Sequence, residues 1–196
     1  MRSGRRFEAV DDAAVVAGVL ANDPHLRTEL FDRYAPYVGR VLSRILGADD
    51  EIPDLIHDVF VLALRDLRNL RDPNALKGWL ASLAVHTARG YIRRRTRRRW
   101  LRFFAPDDLP ETPVPPGDDE REALRAFYAI LSHVDADDRI AFTLRVIGGM
   151  EIAEVAAATS TSESTVKRRV NRAKAFVAGA VRDDPALQPW VDGGAE

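Results

Sequence analysis

The sequence predicts an all-α protein built from two small helical domains joined by a flexible linker. Apolar residues recur at helical spacing on both sides of one proline-rich segment, and no stretch shows the alternation of a strand. Basic residues concentrate in one block of each half, with acidic residues between the blocks. A chain of 196 residues is long enough for two domains of this kind.

The division between the domains is set by residues 105–120. This stretch holds five prolines, a glycine and several acids, so it can neither continue a helix nor build a core. We therefore expect a first domain at 1–102, an acidic linker at 103–120, a second domain at 121–182 and a tail at 183–196.

The first domain reads as four helices. Asp11 and Asp12 can cap the first helix, which stops near Pro24, and Gly47 ends the second. We expect Pro36 to kink or divide that second helix. The later helices are expected at about Leu26 to Leu46, Pro53 to Leu70, and Ala75 to Arg99.

The second domain also reads as four helices, of which the last two are joined by the polar turn Thr159-Ser160-Thr161. A short helix, a tight turn and a longer basic helix form a helix-turn-helix pattern. The four are expected at about Glu120 to His133, Asp135 to Ile147 (closed by Gly148-Gly149), Ile152 to Ala158, and Ser162 to Val181.

The last of these helices has the composition of a DNA-reading element. Val166, Val170 and Val177 follow helical spacing toward a core, and Ser162 is a suitable N-cap. The remaining faces carry residue types that contact bases and phosphates in a major groove: Ser164, Thr165, Lys167, Arg168, Asn171 and Arg172. The alternative is a basic, solvated helix of an ordinary bundle.

The local charge pattern supports a nucleic-acid partner although the net charge is only −1. Residues 79–102 contain eight arginines and no acid, and residues 164–182 contain six lysines or arginines and no acid. Residues 105–122 contain seven acids and one arginine. Attraction to phosphate depends on the local field, so the acidic linker conceals two basic surfaces.

Other functional classes find little support. The chain has no cysteine, and its four histidines have no metal-ligand spacing. Without a glycine-rich phosphate loop either, we expect no enzyme activity, no catalytic residue, no metal and no cofactor. The apolar stretches are too short to span a bilayer and no secretory signal is visible, so we expect a cytoplasmic protein without membrane insertion.

The helix-turn-helix resembles region four of sigma factors. Glu154-Val155-Ala156 and Thr165-Val166-Lys167-Arg168-Arg169 stand at matching spacing. Thr159 replaces a usual leucine and Ser160 a usual glycine, so we expect a looser turn than in relatives. Taken alone, this motif also fits two-component and quorum-type regulators.

The first domain resembles sigma region two, and this favours a sigma factor over the other regulators. Residues 30–37 resemble the opening of that region, and residues 54–60 resemble the helix that binds the clamp of core polymerase. The segment that contains Trp79 and then the run Arg93–Arg95 resembles the helix that contacts the minus-ten element. With no room for region three, the chain is identified as a member of the extracytoplasmic-function group.

The resemblance implies three binding surfaces. The first contacts core polymerase through Asp54, His57, Asp58 and Phe60. The second contacts the minus-ten element, with a flipped base read near residues 71–77, through Asn74, Lys77, His86, Arg89, Arg93 and Arg94. The third is the region-four surface named above, which contacts the minus-thirty-five element.

Two of these surfaces, the polymerase-binding helix and the minus-ten helix, carry residues that bear on how they bind. Asp54 and Asp58 share a helix face, which suits a basic partner or, alternatively, complements the helix dipole. His57, His86 and Gly90 replace the usual glutamine, asparagine and aspartate, and Gly90 would allow a close approach or a kink.

The implied partners are the β′ clamp and β flap of core RNA polymerase, promoter DNA and an anti-sigma factor. The acidic linker is expected to occupy a polymerase channel otherwise used by RNA. The alternative function is a stand-alone helix-turn-helix regulator that binds an operator as a dimer.

Overall fold

The computed structural model describes residues 11–102, 119–184 and 187. In these residues the chain forms eight α-helices and no strand. They are α1 Asp12–Leu20, α2 Pro24–Leu46, α3 Ile52–Asp66, α4 Leu76–Arg102, α5 Asp119–Leu131, α6 Ala136–Phe142, α7 Ile152–Thr159 and α8 Glu163–Asp183. The expected linker, apart from its last two residues, and most of the expected tail lie outside the described residues.

Helices α1, α2, α6 and α8 each begin after an acidic or hydroxyl side chain that accepts a hydrogen bond from the first turn. Asp11 accepts from the backbone nitrogen of Ala14 at 2.7 Å, and Asp23 accepts from that of His25 at 2.8 Å. Asp135 and Ser162 cap α6 and α8 in the same way. These local signals explain why most boundaries fall within a few residues of the sequence expectation.

Two helices differ from expectation. The exposed Pro36 does not divide α2, which continues as one helix from Pro24 to Leu46. The helix expected to reach Ile147 ends as α6 at Phe142 and continues as a π-helical turn over Thr143–Ile147. A Cβ on Gly148 would lie 2.5 Å from the carbonyl oxygen of Leu144, so only glycine fits after this widened turn.

The first unit, α1 to α4, is closed by an apolar core in which Leu30, Leu42 and Leu80 are fully buried. A polar link joins α1 to α2, where the Tyr34 hydroxyl donates to Asp12 at 2.6 Å. Burial, and then this hydrogen bond, raise the pKa of Tyr34 to about 12. Trp79 is partly buried and packs against the same core.

The second unit, α5 to α8, packs directly on the first, which the sequence did not predict. Buried residues such as Ile140, Leu144 and Val166 belong to the same continuous apolar cluster as the first unit's core. Helix α4 lies against α6 and α7, and α2 lies against the π-helical turn. In the described part of the chain, no helix is long and apolar enough to cross a membrane.

Candidate nucleic-acid interface

The turn between α7 and α8 is closed. Ser160 adopts the left-handed conformation (φ 53°, ψ 48°) usually filled by glycine. The Thr161 backbone nitrogen donates to the Ala156 carbonyl at 3.0 Å, and the buried Thr159 hydroxyl donates to the Val155 carbonyl at 2.7 Å. In this chain the Thr159 hydroxyl closes the turn with a hydrogen bond to its own helix; the expectation of a turn looser than in relatives stays a prediction.

Helix α8 buries its apolar side as expected. Val166 and Val170 are buried, and the Ser162 hydroxyl accepts from the Thr165 backbone nitrogen at 3.3 Å. The hydroxyls of Ser164 and Thr165 gather around the same cap oxygen at about 3 Å. Of the residues expected to contact the minus-thirty-five element, Thr165 is half-buried and five are exposed: Ser164, Lys167, Arg168, Asn171 and Arg172.

Arg172 is held by an acid of its own unit. Its guanidinium donates twice to Asp138, at 2.8 and 2.6 Å, and these bonds raise the pKa of Arg172. Asp138 is nearly buried, with its side chain 10% exposed. This bidentate pair fixes α8 on α6, so Arg172 orients the helix while Lys167 and Arg168 remain available.

The six residues expected at the minus-ten element lie along α4 and the turn before it. Lys77, His86 and Arg94 are exposed, and the Lys77 ammonium stands 5.1 Å from the ring centre of Tyr37. Asn74 is held in the turn, where both its backbone and side-chain nitrogens donate to Asp72.

Arg89 and Arg93 are placed differently, because both face an acid of the second unit. Arg89 donates through Nε to Asp137 at 2.6 Å, and the Arg93 guanidinium lies 3.7 Å from the same carboxylate. Arg169 of α8 donates to Asp137 at 3.0 Å. A single carboxylate thus joins the two basic helices.

The arginine-rich end of α4 is tied back to the start of α3 by Asp49. This carboxylate accepts from the Tyr91 hydroxyl at 3.0 Å and from Arg95 at 2.6 Å. Sequence reasoning missed this contact, because the partners of Asp49 lie more than 40 residues away along the chain. The bond lowers the electrostatic repulsion within the arginine run and fixes the direction of α4.

Helix α3 presents the surface expected to bind polymerase. Asp54, His57 and Asp58 are exposed, whereas Phe60 is only 5% exposed and packs on Phe31 with ring centres 4.8 Å apart. In this structure Phe60 therefore supports the surface from beneath. Three exposed apolar side chains that sequence reasoning missed lie in the same part of the unit: Phe31, Val61 and Leu64.

The described residues contain no cluster of three or more histidine or acidic side chains that could hold a metal ion. The chemistry that the described surfaces offer is the binding of polyanions and of a protein partner.

Two family models match the chain in sequence order. The model of "Sigma-70 region 2" matches residues 30–98, and that of "Sigma-70, region 4" matches residues 124–177. The chain belongs to the sigma-70 family. The first match includes α3 and α4 up to Arg98, and the second includes the helix-turn-helix up to Val177.

The most similar relatives include extracytoplasmic-function sigma-E factors. The protein from Escherichia coli K12 is 28% identical over 194 residues, covering 94% of this chain and 98% of its own. The protein from Haemophilus influenzae is 25% identical, covering 89% and 97%. This coverage places the chain in the extracytoplasmic-function group.

Two solved structures share the fold. CnrH in complex with the cytosolic domain of CnrY matches with a TM-score of 0.60 at 20% identity, covering 89% of this chain and 99% of that one. RpoE in complex with the anti-sigma factor NepR from Bartonella quintana matches with a TM-score of 0.57 at 21% identity, covering 80% and 97%.

Proposed function

We infer that this chain is a sigma factor, which binds core RNA polymerase and directs transcription initiation at specific promoters. The observation that carries this is the presence, in one chain, of the exposed α3 surface beside α4 and of a helix-turn-helix with an exposed basic face. A stand-alone operator-binding regulator would need only the helix-turn-helix, so it leaves the region-two unit without a purpose.

In this function α8 enters the major groove of the minus-thirty-five element. Its N-terminal hydroxyls face the phosphate backbone, while Lys167, Arg168 and Asn171 reach base edges or phosphates. The Arg172–Asp138 pair holds the helix at a fixed angle to its unit. The second unit also meets the β flap of polymerase.

The minus-ten element is bound along α4 and the turn before it. Arg89, Arg93 and Arg94 neutralise phosphates, and His86 faces the DNA from the same helix. Asn74 and Lys77 stand at the turn, where an unstacked base can be held. The chain carries out no covalent chemistry, because initiation needs only binding and melting.

The polymerase clamp is bound by α3. Asp54, His57 and Asp58 supply the polar contacts, and the neighbouring Val61 and Leu64 supply apolar area that water covers in the free protein. Acidic side chains beside an apolar patch complement a partner surface that carries basic side chains beside an apolar patch of its own.

Further features of this function rest on the sequence and on family membership. The acidic segment 103–120 occupies a polymerase channel otherwise used by RNA. An anti-sigma factor controls access to polymerase, and the protein works in the cytoplasm, where core polymerase is found.

The test is the affinity for purified core polymerase, measured by fluorescence anisotropy. Asp58→Lys places a like charge against a basic partner and should weaken core binding by about ten-fold or more. Asp50→Lys is the matched control, since it makes the same charge change at an exposed acid outside α3. DNA binding by the isolated protein should be the same for both variants.

Equal losses of core binding for Asp58→Lys and Asp50→Lys would contradict the assignment of α3. The absence of any complex between core polymerase and the unaltered protein would contradict the proposed function as a whole.

A further inference from the structure

Helix α4 continues beyond the part that packs into the core of the first unit. Up to Arg98, where its described side chains end, Ile92 is the last buried residue, and the six side chains that follow it are all exposed. Five of the residues 93–98 are arginine. Like charges three or four residues apart on a helix repel one another, so this end needs an outside contact to keep one direction.

Asp49, in the short segment between α2 and α3, supplies such a contact. Its side chain is 7% exposed, and its carboxylate accepts from the Tyr91 hydroxyl at 3.0 Å and from the Arg95 guanidinium at 2.6 Å. It also accepts from the backbone nitrogen of Glu51 at 3.1 Å. Because three donors fix the orientation of this nearly buried carboxylate, Arg95 is held at a defined point.

The helical geometry places Tyr91 and Arg95 on a different side of α4 from the neighbouring arginines. The two residues are four apart, so they lie one above the other on the side where Asp49 stands. Arg94 lies about 100° and Arg97 about 160° round the helix from Arg95. Both are exposed, and neither pairs with a carboxylate in the described part of the chain.

The pair between Arg95 and Asp49 contributes more to orientation than to stability. The Arg95 side chain is 68% exposed, and solvent screens an ion pair of which one partner is exposed. The pair does, however, neutralise one charge of the arginine run. A guanidinium whose charge is already met by a carboxylate releases few counterions when DNA binds, so it adds little to phosphate affinity.

We propose that Asp49 is a positioning residue for the DNA-binding side of α4, and that Arg95 is an internal contact and not a phosphate contact. Together with Tyr91, the pair directs the helix end so that Arg94 and Arg97 meet the DNA backbone. Arg97 is thereby a further phosphate-binding residue. The consequence for DNA rests on the proposed function, whereas the holding of the helix end lies within the first unit and can be measured without DNA.

The helix end can be tested by hydrogen–deuterium exchange in the full chain. Asp49→Asn keeps the size of the side chain and an acceptor for Glu51, but it loses the charge that holds Arg95. The amides of residues 93–98 should exchange about three-fold faster or more in Asp49→Asn than in the parent. Arg95→Ala should exceed Arg94→Ala by a similar factor, and this control matches it in net charge and helix propensity.

Two further variants sharpen this measurement. Tyr91→Phe removes only the hydroxyl bond to Asp49, so it should raise the exchange of residues 93–98 in the same direction. Adding Arg95→Ala to Asp49→Asn should cause no further increase, since both substitutions break one bond. Thermal unfolding should verify that each variant is folded. Exchange that is the same in the parent and in every folded variant would overturn the positioning role of Asp49.

The DNA arm uses holoenzyme and a fluorescent promoter fragment on which the protein supports transcription. Arg94→Ala and Arg97→Ala should each reduce the salt slope of binding by about one, through one lost phosphate contact. Arg95→Ala should leave the slope unchanged and weaken binding by roughly three-fold through lost orientation. An equal fall of the slope for Arg95→Ala and Arg94→Ala would overturn the proposal, and an unchanged slope for Arg97→Ala would overturn the role given to Arg97.

The proposed function fails by a different result. If no fragment gives a transcript that depends on this protein, while Asp49→Asn still accelerates exchange at residues 93–98, the helix end is held as described but the chain is not a sigma factor.

Discussion

The two basic helices, α4 and α8, are similar in composition but differ in how the fold presents them. Helix α8 turns Lys167 and Arg168 toward solvent and uses Arg169 and Arg172 for internal pairs. Helix α4 has Arg89 bound to the other unit and Arg95 bound to Asp49. A count of arginines therefore predicts a basic helix but does not predict which guanidinium groups remain available to DNA.

The largest effect is expected on α8, where the exposed pair carries the contact. In the holoenzyme, Lys167→Ala with Arg168→Ala should weaken promoter binding by about 100-fold and reduce the salt slope by about two. Arg182→Ala, near the far end of the same helix, is the control and should change neither quantity. If the salt slope of promoter binding is unchanged in the double variant, this face of α8 does not make the DNA contact.

Two single substitutions on α4 distinguish an arginine that is paired with the other unit from one that is exposed. Arg89→Ala should lower holoenzyme transcription by roughly ten-fold, through one lost phosphate contact, and should also lengthen the inter-unit distance in the free protein. The Arg94 side chain is exposed. Arg94→Ala should therefore lower transcription without changing the inter-unit distance, as measured between spin labels on the two units. The distinction drawn between the two arginines is wrong if Arg94→Ala opens the units or Arg89→Ala leaves them closed.

Within the first unit, the link between α1 and α2 should depend on pH. A pKa raised in the folded state means that the neutral phenol of Tyr34 stabilises the fold. That contribution is complete below the ordinary value of 10 and is lost as the pH rises through about 12. The melting temperature should fall more steeply over this range in the parent than in Tyr34→Phe. Parallel curves would contradict the role given to this bond.

The smallest effect is expected at Gly90. No close approach requires this glycine, because the nearest atom to an added Cβ is Arg94 Nη1 at 3.4 Å. Gly90→Ala should stabilise the protein by up to about 1 kcal/mol through helix propensity, measured by urea unfolding. Gly148→Ala should destabilise it, since its Cβ meets a backbone oxygen. A loss of stability in Gly90→Ala would point to a constraint along α4.

The sequence was most informative where the physics is local. Asp11, Asp23 and Ser162 act as caps within three residues of themselves, so helix starts could be predicted. The apolar spacing of Val166 and Val170 likewise fixed which side of α8 is buried.

Long-range pairings were not predictable from one sequence. Any of several acids could have met Arg89, and nothing near Asp137 singles it out. The burial of Arg139 depends on carbonyls more than 90 residues earlier in the chain. The place of Phe60 was also ambiguous, because helical spacing allowed it to lie on either a buried or a binding face. Its stacking on Phe31 resolves this for the described structure.

Run-off transcription with purified core polymerase tests the central claim most directly. Genomic DNA fragments would serve as templates, with core polymerase alone as the baseline. We expect discrete, promoter-dependent transcripts that require this protein and are lost with Lys167→Ala/Arg168→Ala. If the protein adds no transcript to the baseline on any fragment, while still binding DNA, it is not a sigma factor and acts as a regulator of another kind.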